Sequence, residues 1–264
     1  NKKGVPTVLS GEIRIRTSFR GQQYTRGGYY RDEIVSLLQK AIRRGLKREA
    51  LFAAKELYNM GGPFLSNLIN RLKVIVSEDI SIGNLYLPIF ASKLLFNGRR
   101  ESSDILKLIC IMCDCVKCRW CDELVHLCME DPVDDKGKIK IKKVGNKYYN
   151  GGIPGDKTRY ISLMNCFVKE LDGNKDVKRC SVIIQKIFDL KKVNGKGRLT
   201  SKGGKSKDPV YGIWELFLKR MKGKKKKRVI KVLFKFFDEK NNGRTERLFL
   251  IHALLLVLNV KEVR

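Results

Sequence analysis

Between Asp32 and Ile82 the chain reads DEIVSLLQKAIRRGLKREALFAAKELYNMGGPFLSNLINRLKVIVSEDISI, three amphipathic stretches in immediate succession. Ile34, Leu37, Leu38, Ala41 and Ile42 recur at i, i+3, i+4, i+7 and i+8, the stripe of one helix. Gly45 ends it, and Leu51, Ala54, Leu57 and Tyr58 begin a second stripe. Gly61-Gly62-Pro63 breaks the chain again. Pro63 suits the start of a third helix carrying Leu65, Leu68, Ile69, Leu72, Ile75 and Val76. Linkers this short leave the three apolar faces nothing to cover them but each other. A helical bundle is the expected fold.

The helical pattern continues through 86–96, 104–115 and 119–128. An Asp-Pro step at 131–132 then opens a polar, basic passage, in which KGKIKIKKV alternates lysine with apolar residues as a short hairpin would. Two more helices are expected at 159–171 and 177–190. After them come a Gly/Lys/Ser-rich loop at 191–208 and a helix opening at Pro209. KGKKKKR is expected to interrupt, before apolar helices at 229–237 and 245–258. The fold class is therefore mainly α, with about eight to ten helices in all. The expected parts are a basic extended arm at 1–30, a bundle at 31–130, a basic loop or hairpin at 131–157, and a second helical part at 158–264.

The segments AIRRG, EALFAAKEL and NRLKVIVSEDI carry a resemblance. Residues 31–128 resemble the C-terminal helical region of the MgsA/RarA and Werner-helicase-interacting AAA+ ATPases, most sharply at Ala41–Gly45 and Ser77–Ile80. In that family the region follows an ATPase core and supports tetramer formation in replication-fork maintenance. The resemblance implies a helical oligomerisation unit, without metal ligands between its helices. About thirty residues precede the matching part, so no ATPase core is expected and ATP hydrolysis is not carried over. A derivative in a large DNA virus fits the same picture.

Composition decides what such a bundle meets. Against 27 Asp and Glu stand 56 Lys and Arg, a formal net charge of +29. Self-repulsion of that size calls for a polyanion or acidic neighbours. Four segments concentrate the charge. The N-terminal arm holds Arg14, Arg16, Arg20 and Arg26 interleaved with tyrosines able to stack. Lys138, Lys140, Lys142 and Lys143 follow in the second segment. Lys196, Arg198, Lys202 and Lys205 make the third, where glycines let the backbone follow an irregular surface. Lys224, Lys225, Lys226, Lys227 and Arg228 make the fourth. This pattern suits phosphate-backbone contact, and no helix-turn-helix, zinc-finger or RNA-recognition signature points to base reading. The expected partner is nucleic acid, DNA before RNA, or acidic protein neighbours in a large assembly; an oligomer or assembly component is expected.

Catalytic chemistry finds little footing. GGIPGDKT at 151–158 places an aspartate where a phosphate would meet backbone amides, and GGKS at 203–206 lacks the leading glycine of a P-loop. Ser77 and Asp79 read as helix caps, and the only histidines are His126 and His252. Six of the eight cysteines lie within nineteen residues. Cys110, Cys113, Cys118 and Cys121 have zinc-pair spacing, but the pairs overlap inside a helical pattern, so buried thiols are the favoured reading over a metal centre. No cofactor is expected.

Crowded cysteines without a secreted framework imply a reducing compartment, cytoplasmic or nuclear, or a virion assembled there. The longest apolar run, 248–260, is too short to span a bilayer. The leading expectation is a non-enzymatic nucleic-acid-associated protein of replication, repair or genome packaging. The alternative is a structural protein, such as a minor capsid component of a giant virus, offering exposed aromatics near Trp214 and Phe234.

Overall fold

The structure, a computed structural model, describes residues 24–96, 101–130, 158–194, 209–239 and 243–260. It also describes two antiparallel pairs of two-residue strands, β1 (Val8–Leu9) with β2 (Glu12–Ile13) and β3 (Thr17–Ser18) with β4 (Gly21–Gln22). Among the described residues there are eleven α-helices, so the chain is mainly α, with more helices than the periodicity indicated. The basic hairpin expected within 131–157, and most of the arm, lie outside the described residues. No described helix is long and apolar enough to cross a membrane.

The chain divides into two compact units. The first comprises residues 1–80 and 87–117. Helices α1 (Arg31–Arg44), α2 (Lys47–Met60) and α3 (Gly62–Ile75) pack against one another, as their short linkers favour. A one-turn π-helix, Val76–Ile80, extends α3; α4 (Leu87–Phe96) and α5 (Ser102–Asp114) complete the unit. Gly45 takes a left-handed φ of 72°, and the Gly45 and Leu46 amides donate to the carbonyls of Ile42 and Ala41, closing α1. Helix α2 is thin where it is buried: Ala50, Ala53 and Ala54 are fully enclosed, so α1, α3 and α5 can all approach it. Leu38, Ile42, Leu57, Leu68, Leu72 and Ile75 fill the centre, each contributing about 1.5–3 kcal/mol by leaving water.

The second unit comprises residues 81–86 and 118–264. Its helices are α6 (Trp120–Glu130), α7 (Thr158–Asp172), α8 (Val177–Asn194), α9 (Tyr211–Arg220), α10 (Lys224–Asp238) and α11 (Gly243–Val257). The division falls earlier than the expected 131–157 boundary, because α6 packs against α8 and α11 rather than staying with the first bundle. The aromatic residues near Trp214 are likewise not exposed. Trp214 is only 1% exposed and sits 5.5 Å from Phe234 and 5.3 Å from Phe237, ring centre to ring centre. Helix α9 turns its indole inward because Ile213, Trp214, Leu216 and Phe217 form its buried face.

Candidate nucleic-acid interface

The lysine run expected to be a loop is helical. Helix α10 begins at Lys224, so Lys224–Arg228 form its opening turns, preceded by Gly223 at a φ of 90°. The apolar half of the sequence explains this. Val229, Ile230, Leu233, Phe236 and Phe237 are all buried, and lysine is a good helix former, so the periodicity propagates back through the cationic residues.

At 3.6 residues per turn, Lys224, Lys227, Arg228, Lys231 and Lys235 share roughly 100° of arc on the side opposite those apolar residues. All five are exposed. The stripe runs about 16 Å, a length over which duplex DNA carries about ten phosphates. Lys226 points the other way and donates from Nζ to Asn259 Oδ1 at 2.6 Å, near the C-terminal end of α11. Among the described residues, Lys224, Lys225, Lys227, Arg228 and Lys231 have no ion-pair partner. The first turn of α10 contains no acid. Five cations therefore crowd the end of a helix whose backbone dipole is already positive.

Arg26, the one described cation of the arm, is exposed on a tight turn. That turn is well fastened. The Thr25 amide donates to the Tyr29 carbonyl at 2.9 Å, Gly27 N–H to Glu56 Oε2 at 3.3 Å, and Tyr24 bridges to Tyr30. A Cβ on Gly27 would stand 2.8 Å from the Tyr29 ring. Of the tyrosines expected to stack on a partner, Tyr24 is buried; Tyr29 is nearly half exposed and makes an edge contact with exposed Phe52 at 5.5 Å. Arg14, Arg16, Arg20, Lys138, Lys140, Lys142, Lys143, Lys196, Arg198, Lys202 and Lys205 lie outside the described residues, as do the two glycine-rich stretches at 151–157 and 203–206.

The cysteines take ordinary packing positions. Cys110 and Cys113 lie on α5, Cys121 and Cys128 on α6, and no group of three or more His, Cys, Asp or Glu among the described residues is placed to hold a metal ion. The zinc set Cys110, Cys113, Cys118 and Cys121 is thus not assembled. Burial pushes the Cys113 and Cys128 thiols up to about 11 and that of Cys180 to about 12. Cys121, fully enclosed and 2.8 Å from Ser81 Oγ, is raised further still. Protonated thiols of this kind behave as small apolar groups.

Two polar clusters escaped the sequence reading. Asp79 is not a cap: it is fully buried in the π-turn and accepts from Gln39 Nε2 at 2.8 Å and Arg43 Nε at 2.5 Å. Arg71 Nη1 donates in turn to Gln39 Oε1 at 3.0 Å, so α1 and α3 are tied to the turn that follows α3. In the second unit, Asp122 accepts from Arg119 and, at 3.0 Å, from Arg244 Nη2; that same Nη2 lies 2.8 Å from His126 Nε2. Neither cluster has a local motif, since partners lie 32–40 residues apart in the first and Arg244 joins the second across 122 residues.

No family model matches the chain, and no curated protein and no solved structure matches it either.

Proposed function

We propose that the protein is a non-enzymatic nucleic-acid-associated protein, serving replication, repair or genome packaging, that holds phosphate backbones on the basic face of α10. The observation that carries this reading is the placement of Lys224, Lys227, Arg228 and Lys231. They form one exposed stripe on a helix whose opposite face is locked in a core, and no carboxylate among the described residues neutralises them. A rigid row of cations releases counterions from a polyanion without reading its bases, so the interaction is backbone-directed. DNA is the favoured polymer over RNA, and the basic segments at 1–30, 136–147 and 191–207 extend the footprint. Binding needs no ATP. The resemblance of 31–128 to the MgsA/RarA C-terminal region, together with the α1–α3 packing, supports assembly through helical surfaces.

Fluorescence anisotropy of a labelled duplex against salt tests this. The logarithm of affinity falls steeply with the logarithm of salt. Replacing Lys224, Lys227, Arg228 and Lys231 together by Gln lowers that slope by about 3–4, at roughly 0.9 per phosphate contact. A slope unchanged in the fourfold variant refutes the role of α10, and absence of binding at low salt refutes the whole reading. A second reading, a structural component of a large particle, is favoured by the exposed Tyr29–Phe52 pair, whose edge contact offers an aromatic anchor to a neighbouring subunit. Binding to duplex that survives in a monodisperse, isolated chain separates the first reading from the second.

A further inference from the structure

The first unit leaves two aromatic rings at its surface, Tyr29 at 45% and Phe52 at 42% exposure. Neither ring is loose. They meet edge to face, with centres 5.5 Å apart and planes at 89°. Tyr29 rides on a turn fixed from inside: its amide donates to Oγ1 of fully buried Thr25 at 3.3 Å, and the Gly28 amide donates to the Thr25 carbonyl at 3.0 Å. The Gly27 amide donates to Glu56 Oε2 and so pins the turn to α2. A Cβ at Gly27 would stand 2.8 Å from Tyr29 Cε2 and 3.0 Å from Glu56 Oε2, so the ring lies in space that only glycine leaves open. A rigid ring pair loses little conformational freedom when a flat ligand is laid on it.

The charges around the rings say what kind of ligand fits. At 100° per residue, Arg48 and Lys55 stand about 40–60° to one side of Phe52 on α2, while Glu49 and Glu56 stand as far to the other. Glu56 is engaged by the Gly27 amide. Arg26, on the turn itself, is exposed, as are Arg48 and Lys55, and none of the three has an ion-pair partner among the described residues. A protein neighbour covering the rings would desolvate those cations beside them, at a cost its apolar contact does not offset. A nucleotide meets both demands, because its base presents a flat face to the rings and its phosphates answer the guanidinium and ammonium groups.

We propose that Tyr29 and Phe52 form a stacking platform for an unpaired base of a nucleic-acid strand. Arg26, Arg48 and Lys55 receive the phosphates of that strand, and Gly27 is the positioning residue that lets the Tyr29 ring lie on its turn. The inference rests on the nucleic-acid reading and deepens it: the α10 stripe holds any phosphate backbone, whereas the platform takes only a base that stands outside a duplex. Stacking tolerates every base, so no sequence is read.

Fluorescence anisotropy on the full chain tests the platform with two labelled probes, an oligothymidylate and an abasic strand of equal length that keeps the phosphates and lacks the bases. The oligothymidylate should bind about tenfold more tightly, the size of one stacked base. Phe52→Leu keeps an apolar side chain on α2 but removes the flat face. It should bring the oligothymidylate to the abasic level and leave the abasic strand's affinity and salt slope unchanged. Gly27→Ala removes no ring and no charge and meets no left-handed backbone, yet it displaces Tyr29 and should weaken the oligothymidylate alone. The fourfold α10 variant should weaken both strands and keep their ratio, so loss of the stripe and loss of the platform read separately. Equal affinity of the parent for the two strands overturns the platform and leaves the phosphate reading standing. A Phe52→Leu loss shared by both strands overturns it too. Self-association that Phe52→Leu abolishes, with the strand ratio unmoved, gives the rings to a neighbouring subunit instead. Absence of binding by either strand at low salt overturns both readings.

Discussion

His252 should make the second unit acid-sensitive by an amount that can be calculated. It lies on α11 among Phe249, Leu250, Ile251, Ala253, Leu254 and Leu255, all buried, and is itself fully enclosed. Burial pulls its pKa from 6.5 down to about 3. The folded state therefore keeps the ring neutral while the unfolded chain binds a proton below pH 6.5. Stability from this residue is fully present above the unfolded value and is lost as pH falls from there toward 3. At about 1.4 kcal/mol per pH unit, moving from about pH 7.5 to about pH 5 removes about 2 kcal/mol through His252 alone. Both tryptophans, Trp120 and Trp214, belong to the second unit, so urea unfolding followed by tryptophan fluorescence reports on the relevant core. His252→Leu changes the absolute stability at both pH values, but it should flatten the difference between them by that same 2 kcal/mol. An identical loss in variant and wild type would refute the claim that the buried ring stays neutral.

Other consequences follow from the first unit and the thiols. Asp79→Asn keeps the shape of a fully buried side chain but leaves Arg43, one-third exposed, without its nearest counter-charge; a loss of about 2–3 kcal/mol in urea unfolding followed by far-ultraviolet dichroism is expected. A change below about 0.5 kcal/mol would show that Glu78, 3.7 Å from Arg43, suffices by itself. Of the eight cysteines, only Cys110, Cys115 and Cys166 are partly exposed, and a disulfide reagent should modify no more than these three before unfolding. Rapid reaction of Cys121 or Cys180 would contradict the packing around them.

Helices were legible wherever the apolar spacing was strong and the breaks carried glycine or proline, as at Gly45 and Gly61-Gly62-Pro63. The boundary between units was not, because α6 has an apolar stripe of ordinary pattern and nothing local says which bundle it covers. Asp79 was read as a cap for the same reason: SEDI is a reasonable capping string, and its true partners, Gln39 and Arg43, are about forty residues upstream. The aromatics near Trp214 were expected to be exposed because nothing local to Trp214 shows that α10 brings Phe234 and Phe237 against its indole. The surplus of Lys and Arg was legible in the composition, yet the arrangement of Lys224, Lys227, Arg228 and Lys231 into a stripe needed the helix to extend through Lys224.

That extension carries an electrostatic cost to folding. Cations at a helix N-terminus oppose the backbone dipole by about 0.3–1 kcal/mol each, and like charges one turn apart add a few tenths more. Burial of Val229, Ile230, Leu233, Phe236 and Phe237 supplies about 1.5–3 kcal/mol per side chain and outweighs this several-fold, so α10 folds despite its lysines and not because of them. Acids at the same positions would serve folding better. Lys224→Glu with Lys225→Glu, both exposed, should therefore stabilise the second unit by about 1–2 kcal/mol in urea unfolding. The same double change should weaken duplex binding at low salt by well over tenfold, since two attractive charges become repulsive. A protein selected only for stability would gain from the exchange, and one that holds phosphates would lose its grip. If the double variant proves less stable, or binds duplex as well as the parent, the lysines are anchored by something other than an external anion and the stripe loses its assigned role.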